Sequence, residues 1–454
     1  MSDSEIFMEN ETLNIKPDLL CSEPVQHING EIVVPGDKSI SHRALLLSAI
    51  AEGDSYLHGF LNGEDCLATM NALRSMGIQI TTNSNKVKVC GVGANGLTEP
   101  KQSLDLGNSG TAMRLLAGML SSQPFSSVLI GDDSLSKRPM SRITEPLSSM
   151  GAKIDSNEGC PPLVIAGGQK LRGINYRLPV ASAQVKSALL IAGLWAEGRT
   201  TVHSPGPSRD HTEIMLKTMG VELSTGNDHE LSLDGPVALT ARNHEIPGDF
   251  SSAAFFIVAG LLASNEGLLI KNVGINPTRT GLLEILRLMG GSIEILNSRE
   301  SGNELVADLL VKKSQLRGIE IDAKLVPLAI DEFPVLFVAA AFADGITSVN
   351  DAKELRYKES DRLSVMAEGL NTLGVKTKET KDGLRIKGGA LSGGYIDSHG
   401  DHRVAMSFAV AGIAAKDSIY ISRAREINTS FPDFLSIANS VGFAIRPHTI
   451  STRH

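Results

Sequence analysis

One short pattern occurs six times along this chain and restricts its fold more than any other feature. A stretch of helical apolar spacing runs into Met-Gly or a close variant and then into a strand-like segment. The copies read LRSMGIQI at Gly77, LSSMGAKI at Gly151, LKTMGVEL at Gly220, LRLMGGSI at Gly290, LNTLGVKT at Gly374 and ANSVGFAI at Gly442. They are spaced by roughly 70 residues, a period that marks a repeated supersecondary unit. Glycine just past the last helical turn supplies the left-handed residue that ends a helix, so each copy predicts a helix stop followed by a strand.

A second series runs in step with the first. VPGDKSISHRALLLSAIAEG, DLGNSGTAMRLLAGML, LPVASAQVKSALLIAGL, IPGDFSSAAFFIVAGLLA, AIDEFPVLFVAAAFADG and SHGDHRVAMSFAVAGIAA each lead from a strand through a short polar loop into a helix. These helices are apolar nearly all round, which predicts burial inside a domain. Ser, Asp or Asn in most of the preceding loops are side chains that cap helix starts. The unit reads β-α-β-α-β-β, six times. A chain of 454 residues exceeds what one core serves, so a mixed α/β fold in two domains of three units is expected. The polar segment ARNHEIPGD, at 241–249, is a candidate crossover.

Helix N-termini offer free N–H groups and the positive end of the macrodipole, and two domains facing a cleft can aim several of them at one polyanion. The loops of this pattern carry Lys38, Arg43, Arg114, Arg138, Lys186, Arg209, Lys358, Arg362 and Arg403. Arginine suits phosphate and carboxylate because its fork binds two oxygens at once. Asp331 in AIDEFP and Glu359 in RYKESDR stand among these cations as acid–base candidates. A carboxylate beside cations is ionised and fit to be a base, whereas an acid role needs a raised pKa.

Other chemistries are disfavoured. A net charge of −8 and 4% aromatic residues argue against a nucleic-acid binder, which needs a basic footprint and stacking rings. Cys21, Cys66, Cys90 and Cys160 form no CxxC pair, which fits free thiols in a reducing compartment. The acidic N-terminus lacks a signal-peptide layout, and the apolar run at 253–263 is too short to span a bilayer. GVGANG at 91–96 matches GxGxxG, but Pro100 and a polar stretch follow where a helix should begin. No phosphate-binding GxxxxGK[ST] or GxSxG elbow occurs, and His399 and His402 have no accompanying ligand cluster. The expectation is a cytoplasmic monomer that needs neither metal nor organic cofactor and binds neither nucleic acid nor membrane. Residues 1–24 are expected to be disordered.

PGDKSISHRAL (35–45), LGNSGTAMRLL (106–116), GDDSLSKRPM (131–140), SAQVKSALL (182–190), IDEFPVL (330–336), LRYKESDRL (355–363) and GDHRVAMS (400–407) span nearly the whole chain after the first thirty residues. With these segments the chain resembles the EPSP synthase family of enolpyruvyl transferases. The resemblance implies two similar domains of three βαβαββ units with the chain crossing between them twice. One domain would be 35–246, and the other 1–34 with 247–454. It also implies transfer of the enolpyruvyl group of phosphoenolpyruvate to the 5-hydroxyl of shikimate 3-phosphate. By the same resemblance Lys38, Ser39, Arg43, Ser182, Ala183, Gln184, Arg209 and Lys358 would hold shikimate 3-phosphate. Lys38, Asn108, Gly110, Arg138, Gln184, Arg362 and Arg403 would hold phosphoenolpyruvate. Asp331 would take the hydroxyl proton and Glu359 would protonate the methylene carbon.

The chain departs from the family pattern in two places. Many members carry a Lys before Thr-Phe-Pro, where this chain reads Asn428-Thr429-Ser430-Phe431-Pro432, and Ala183 stands where many have Ser. SAQVKSA and KRPM resemble the glyphosate-tolerant subgroup, whereas Gly110 stands where that subgroup often has Ala. The alternative acceptor, UDP-N-acetylglucosamine, belongs to a sister enzyme with a reactive Cys in the loop before Arg-Pro, and GDDSLSKRP has none.

Overall fold

The computed structural model describes residues 18–227 and 229–448. Its helices come in pairs along the chain: α1 (Lys38–Ala49) and α2 (Glu64–Ser75), α3 (Gly110–Leu120) and α4 (Ser141–Ser149), α5 (Ala183–Gly193) and α6 (His211–Thr218). The second half continues with α7 (Phe250–Ala263) and α8 (Gly281–Leu288), α9 (Phe333–Phe342) and α10 (Arg362–Thr372), and α11 (His402–Gly412) and α12 (Phe434–Ser440). The odd-numbered members are the inner helices, and nearly every residue in them is buried. The even-numbered members lead into the six glycines of the repeated pattern, and all six have φ between +86° and +109°. That left-handed geometry is why glycine ends each of them.

Asp37, Ser109, Ser182, Asp249 and Asp401 cap α1, α3, α5, α7 and α11, each accepting a backbone N–H two or three residues on. Capping satisfies donors that the first helical turn leaves without partners. α9 has no such cap and begins with Pro334 in its first turn.

The described residues form six sheets. In five, a parallel pair is extended by two antiparallel strands, as in Leu104–Asp105, Ser127–Ile130, Cys160–Ile165 and Ile154–Asn157. The sixth is the three-stranded sheet of Ile346–Val349, Leu384–Lys387 and Lys376–Glu379. Two apolar cores result. One runs from Ile40 to Ile246; the other combines Leu20, Ile28, Ile32 and Val34 with residues from Phe250 to Ile445.

Three sheets take a strand from a distant part of the chain. Leu239–Thr240 and His244–Glu245 lie parallel to Ala51–His58, and Gly30–Val33 lies parallel to Leu268–Gly274. Leu19–Glu23 runs antiparallel between Ile419–Ser422 and Ala444–Pro447. The expectation of disorder over 1–24 is therefore corrected for this strand: Leu20 and Cys21 are buried, and its backbone pairs on both edges. Residues 1–17 lie outside the described residues.

The chain passes between the cores at two adjacent points. Gly36 and Gly248 form an antiparallel bridge, flanked by hydrogen bonds from Asp37 N to Pro247 O and from Asp249 N to Pro35 O, both 2.8 Å. A Cβ on Gly36 would lie 1.7 Å from Gly59 O, so only glycine fits this crossing.

Candidate active site

Five of the six buried helices begin at one cleft between the cores, and their first residues and preceding loops supply its charge together with the starts of α4, α6 and α10. From the first half, α1 brings Lys38 and Ser39. Lys38 Nζ donates to Asp65 Oδ2 at 2.5 Å. Burial opposes the charge on Lys38, but Asp65 and then Glu359 outweigh it and raise the ammonium above its ordinary value. Arg43, one turn on, is buried behind this face and donates to Ser39 O, Ser187 Oγ and Thr212 Oγ1 at 2.7–2.9 Å. Burial lowers its pKa to about 10, which keeps it charged at neutral pH.

The loop before α3 and the loop before α4 meet through Asn108 and Arg138. Arg138 Nη2 donates to Asn108 Oδ1, and Nη1 donates to Asn108 O at 3.3 Å. Gly110 opens α3, and a Cβ there would come within 2.7 Å of Arg114 Nη1 and 3.2 Å of Arg138 Nη1. Ser182 caps α5 and Ala183 is its first residue. Gln184 follows, accepting from Arg114 Nη1 at 2.7 Å and donating to Thr111 Oγ1 at 2.9 Å. Arg209 reaches Ser39 Oγ at 3.4 Å and also donates across the cleft to Asp331 Oδ2.

The second half supplies the carboxylates. Asp331, in the loop before α9, accepts from Lys358 Nζ at 3.0 Å and has Arg362 Nη1 at 3.7 Å and Arg403 Nη2 at 4.0 Å. Burial by itself would raise its pKa, but Arg209, Lys358 and Arg403 together hold it well below the usual carboxylate range. Glu359 precedes α10 and accepts from Arg362 Nη2 at 2.6 Å, with Arg138 Nη1 of the first half at 3.7 Å. It too is held well below its usual range, because Arg362 and Arg138 overcome the opposing effect of burial.

Two groups with structural partners stand behind these. Asp401, the α11 cap, receives Arg362 Nε at 2.8 Å and so fixes the guanidinium that faces both carboxylates. Arg403 Nη1 donates to Asp331 O at 3.1 Å. Arg138 Nε and Arg362 Nη1 are buried without a hydrogen-bond partner among the described residues. Buried donors of that kind are costly, and an anion in the cleft is the species that would relieve them.

Contacts across the two halves join Ser39, Arg138, Arg209, Asp331, Lys358, Glu359, Arg362 and Arg403 in one network. Arg362 and Arg43 are the most deeply buried of the site's arginines. Sequence reasoning did not assign Asp65, Asp401 or Glu332 to the site. Asp401 was legible as the residue ahead of an apolar helix in SHGDHR. Asp65 pairs with Lys38 across a loop, a contact no local pattern reveals. At the departing C-terminal segment, Thr429 Oγ1 donates to Glu426 O at 2.7 Å. Thr429 lines a cavity of about 560 Å³ together with Asp65, Asn108, Asp132 and Arg425. Arg425 is the cation of that segment, and its Nε donates to Glu426 Oε1 at 3.0 Å.

The family described as EPSP synthase (3-phosphoshikimate 1-carboxyvinyltransferase) matches residues 22–437. The 3-phosphoshikimate 1-carboxyvinyltransferase of Legionella pneumophila, strain Philadelphia 1, is 52% identical over 429 residues, covering 94% of this chain and 99% of that protein. That of Coxiella burnetii is 51% identical over 425 residues, covering 93% of this chain and 97% of its own. EPSP synthase from Acinetobacter baumannii, a solved structure, superposes with a TM-score of 0.84 at 48% identity, covering 94% of this chain and 99% of that one. The enolpyruvyl transferase NikO from Streptomyces tendae shares the fold with a TM-score of 0.76 at 18% identity, covering 95% of this chain and 99% of its own. A whole-length match of sequence and of fold, over a cleft that concentrates arginine around two carboxylates, shows that this chain belongs to the EPSP synthase family.

Proposed function

We propose that the cleft transfers the enolpyruvyl group of phosphoenolpyruvate to the 5-hydroxyl of shikimate 3-phosphate and releases phosphate. The observation that carries this reading is one pair of ionised carboxylates, Asp331 and Glu359, each enclosed by cations from both halves. Two anionic substrates must be held together against their repulsion, so positioning and charge compensation dominate catalysis. Ser39, Arg43, Ser182, Ala183, Gln184, Arg209 and Lys358 hold shikimate 3-phosphate, and Asn108, Gly110, Arg138, Arg362 and Arg403 hold phosphoenolpyruvate. Lys38 and Gln184 touch both.

Asp331, already ionised, takes the proton of the 5-hydroxyl. Glu359 protonates the methylene carbon, and the adjacent carbon, now electron-poor, is attacked by the hydroxyl oxygen. The tetrahedral intermediate then loses phosphate as a proton leaves the new methyl group. For Glu359 to act as an acid its pKa must rise, and the substrate supplies the reason. Arg362 and Arg138, which depress it in the free protein, are the groups that phosphoenolpyruvate neutralises. The two cores act as two domains, 35–246 and 1–34 with 247–454, closing on the substrates to exclude water. The protein works as a cytoplasmic monomer, and glyphosate competes for the phosphoenolpyruvate positions.

Phosphate release from phosphoenolpyruvate, measured with shikimate 3-phosphate or with UDP-N-acetylglucosamine as acceptor, tests the reading. Turnover is expected with the first alone. Turnover with the nucleotide sugar, or with neither, would overturn it.

A further inference from the structure

A buried ionic cluster stands where the chain crosses between the cores, and the chemistry above does not use it. Arg279, 3% exposed, lies between helix starts from both halves. Its Nη1 is 3.4 Å from Asp37 Oδ2, and its Nη2 is 3.5 Å from Asp249 Oδ1 and donates to Ser251 Oγ at 2.8 Å. Nη2 is also 3.7 Å from Glu332 Oε1, which accepts from Ser251 Oγ. Asp37 caps α1, Asp249 caps α7, and Glu332 is the residue from which α9 starts.

One guanidinium therefore ties together three helix starts on the two sides of the double crossover. α1 begins with Lys38, and Asp331 directly precedes Glu332. Glu332 Oε1 is in turn 3.8 Å from Arg403 Nη1, so the cluster touches the second half of the cleft from behind. Burial opposes the charge on Arg279, but Asp37, Glu332 and Asp249 outweigh it and keep the group protonated. Buried ion clusters are poor sources of net stability, because desolvation offsets the attraction, and their best-attested use is to specify register. The groups on the crossing itself, Gly36 and Gly248, offer only backbone bonds and no side chain to set that register.

We propose that Arg279 is a positioning residue for the transfer reaction, locking the double crossover so that α1 of one half and the start of α9 of the other present Lys38 and Asp331 to one pair of substrates. The inference rests on the roles given above to those two residues. Most groups assigned to shikimate 3-phosphate belong to the first half, so its binding survives a loosened register. Turnover needs both halves and does not.

Arg279→Gln, Arg279→Lys and Asp249→Asn are compared with the unsubstituted protein by steady-state phosphate release, calorimetric binding of shikimate 3-phosphate and thermal melting. Displacements of about 1 Å at a reacting centre cost on the order of a hundredfold in rate, and that is the expected fall in kcat for folded Arg279→Gln. Its dissociation constant for shikimate 3-phosphate is expected to stay within about threefold, a split that separates lost positioning from lost binding. Arg279→Lys, which keeps the charge and loses the fork, should recover about tenfold of the lost rate. If Arg279→Gln shows no cooperative melt, Asp249→Asn decides. Asn still caps α7, one arm of the clamp is gone, and kcat should fall about tenfold at unchanged binding of shikimate 3-phosphate. Parent-like kcat in the folded deciding variant, or loss of binding as large as the loss of kcat, would overturn the inference. No turnover in the unsubstituted protein would overturn the assigned reaction, and this inference with it.

Discussion

Glu359 and Asp331 both come from the second half of the chain and share Arg362 as a neighbour, yet the reaction asks opposite things of them. In the free protein both are ionised, because arginine and lysine neighbours outweigh burial. Asp331 is ready as a base, whereas Glu359 becomes an acid only when phosphoenolpyruvate occupies Arg138 and Arg362. Proton uptake on binding is the expected signature. Calorimetry in buffers of different ionisation enthalpy, near pH 7, should show a fraction of a proton taken up when phosphoenolpyruvate joins the complex with shikimate 3-phosphate. Its absence in Glu359→Gln would assign the site. Asp331→Asn and Glu359→Gln should each lower kcat by about 10²–10⁴-fold in the phosphate-release assay, the usual contribution of a positioned acid or base. At Gly110, a methyl would displace the forks of Arg114 and Arg138. Gly110→Ala should raise KM for phosphoenolpyruvate about tenfold and weaken inhibition by glyphosate, since one methyl in a tight site is worth on the order of 10–200-fold. The residue types of this site were legible because most stand in the loop before a helix or in its first turn. Their pKa order was not, because it depends on distances between residues far apart in the chain.

The inner helices are buried among other elements, and this protein packs them closely enough to need glycine at the contacts. Gly118 of α3 lies against α5, where an added Cβ would meet Ala188 O at 2.4 Å and Ala188 Cα at 3.0 Å. Neither atom can move without shifting a helix. Gly118→Ala should destabilise the protein by about 1–3 kcal/mol in urea unfolding, as overpacking does elsewhere, even though alanine is the better helix former. A neutral or stabilising effect would mean that α3 and α5 separate freely. The existence, order and burial of these helices could be read from composition and period, and so could the glycines that stop their partners. Which helix meets which could not, because an all-apolar surface has no preferred face.

For the molecule as a whole, buried histidines set the response to acid. Burial lowers His244 to about 4 and His402 to about 3, while the unfolded chain protonates both near 6.5. Above pH 6.5 their contribution to stability is fully present. As pH falls below that value the unfolded state binds protons that the folded state refuses, so stability declines by up to about 1.4 kcal/mol per pH unit for each such group. Burial also holds His42 well below its ordinary value, and Asp249, raised to about 6 by burial and then by Asp37, acts in the opposite direction between about 4 and 6, so the buried histidines dominate. The urea midpoint should drop steadily from pH 7 to pH 5, and His244→Asn should flatten that slope. An unchanged slope in the variant would show that His244 is not the group responsible.

Periodicity, helix caps and the glycine stops are local properties, written within a turn or two of the residues they govern, and so the kind of fold and the types of residue at the cleft could be read without coordinates. The strand Leu19–Glu23, read from the sequence as disordered, pairs instead with strands some four hundred residues away. Lys38 finds Asp65, Arg209 finds Asp331, and Arg279 gathers Asp37, Asp249 and Glu332. These pairings belong to the folded chain alone, because a charge chooses its partner by distance in space, and no pattern along the sequence encodes that distance.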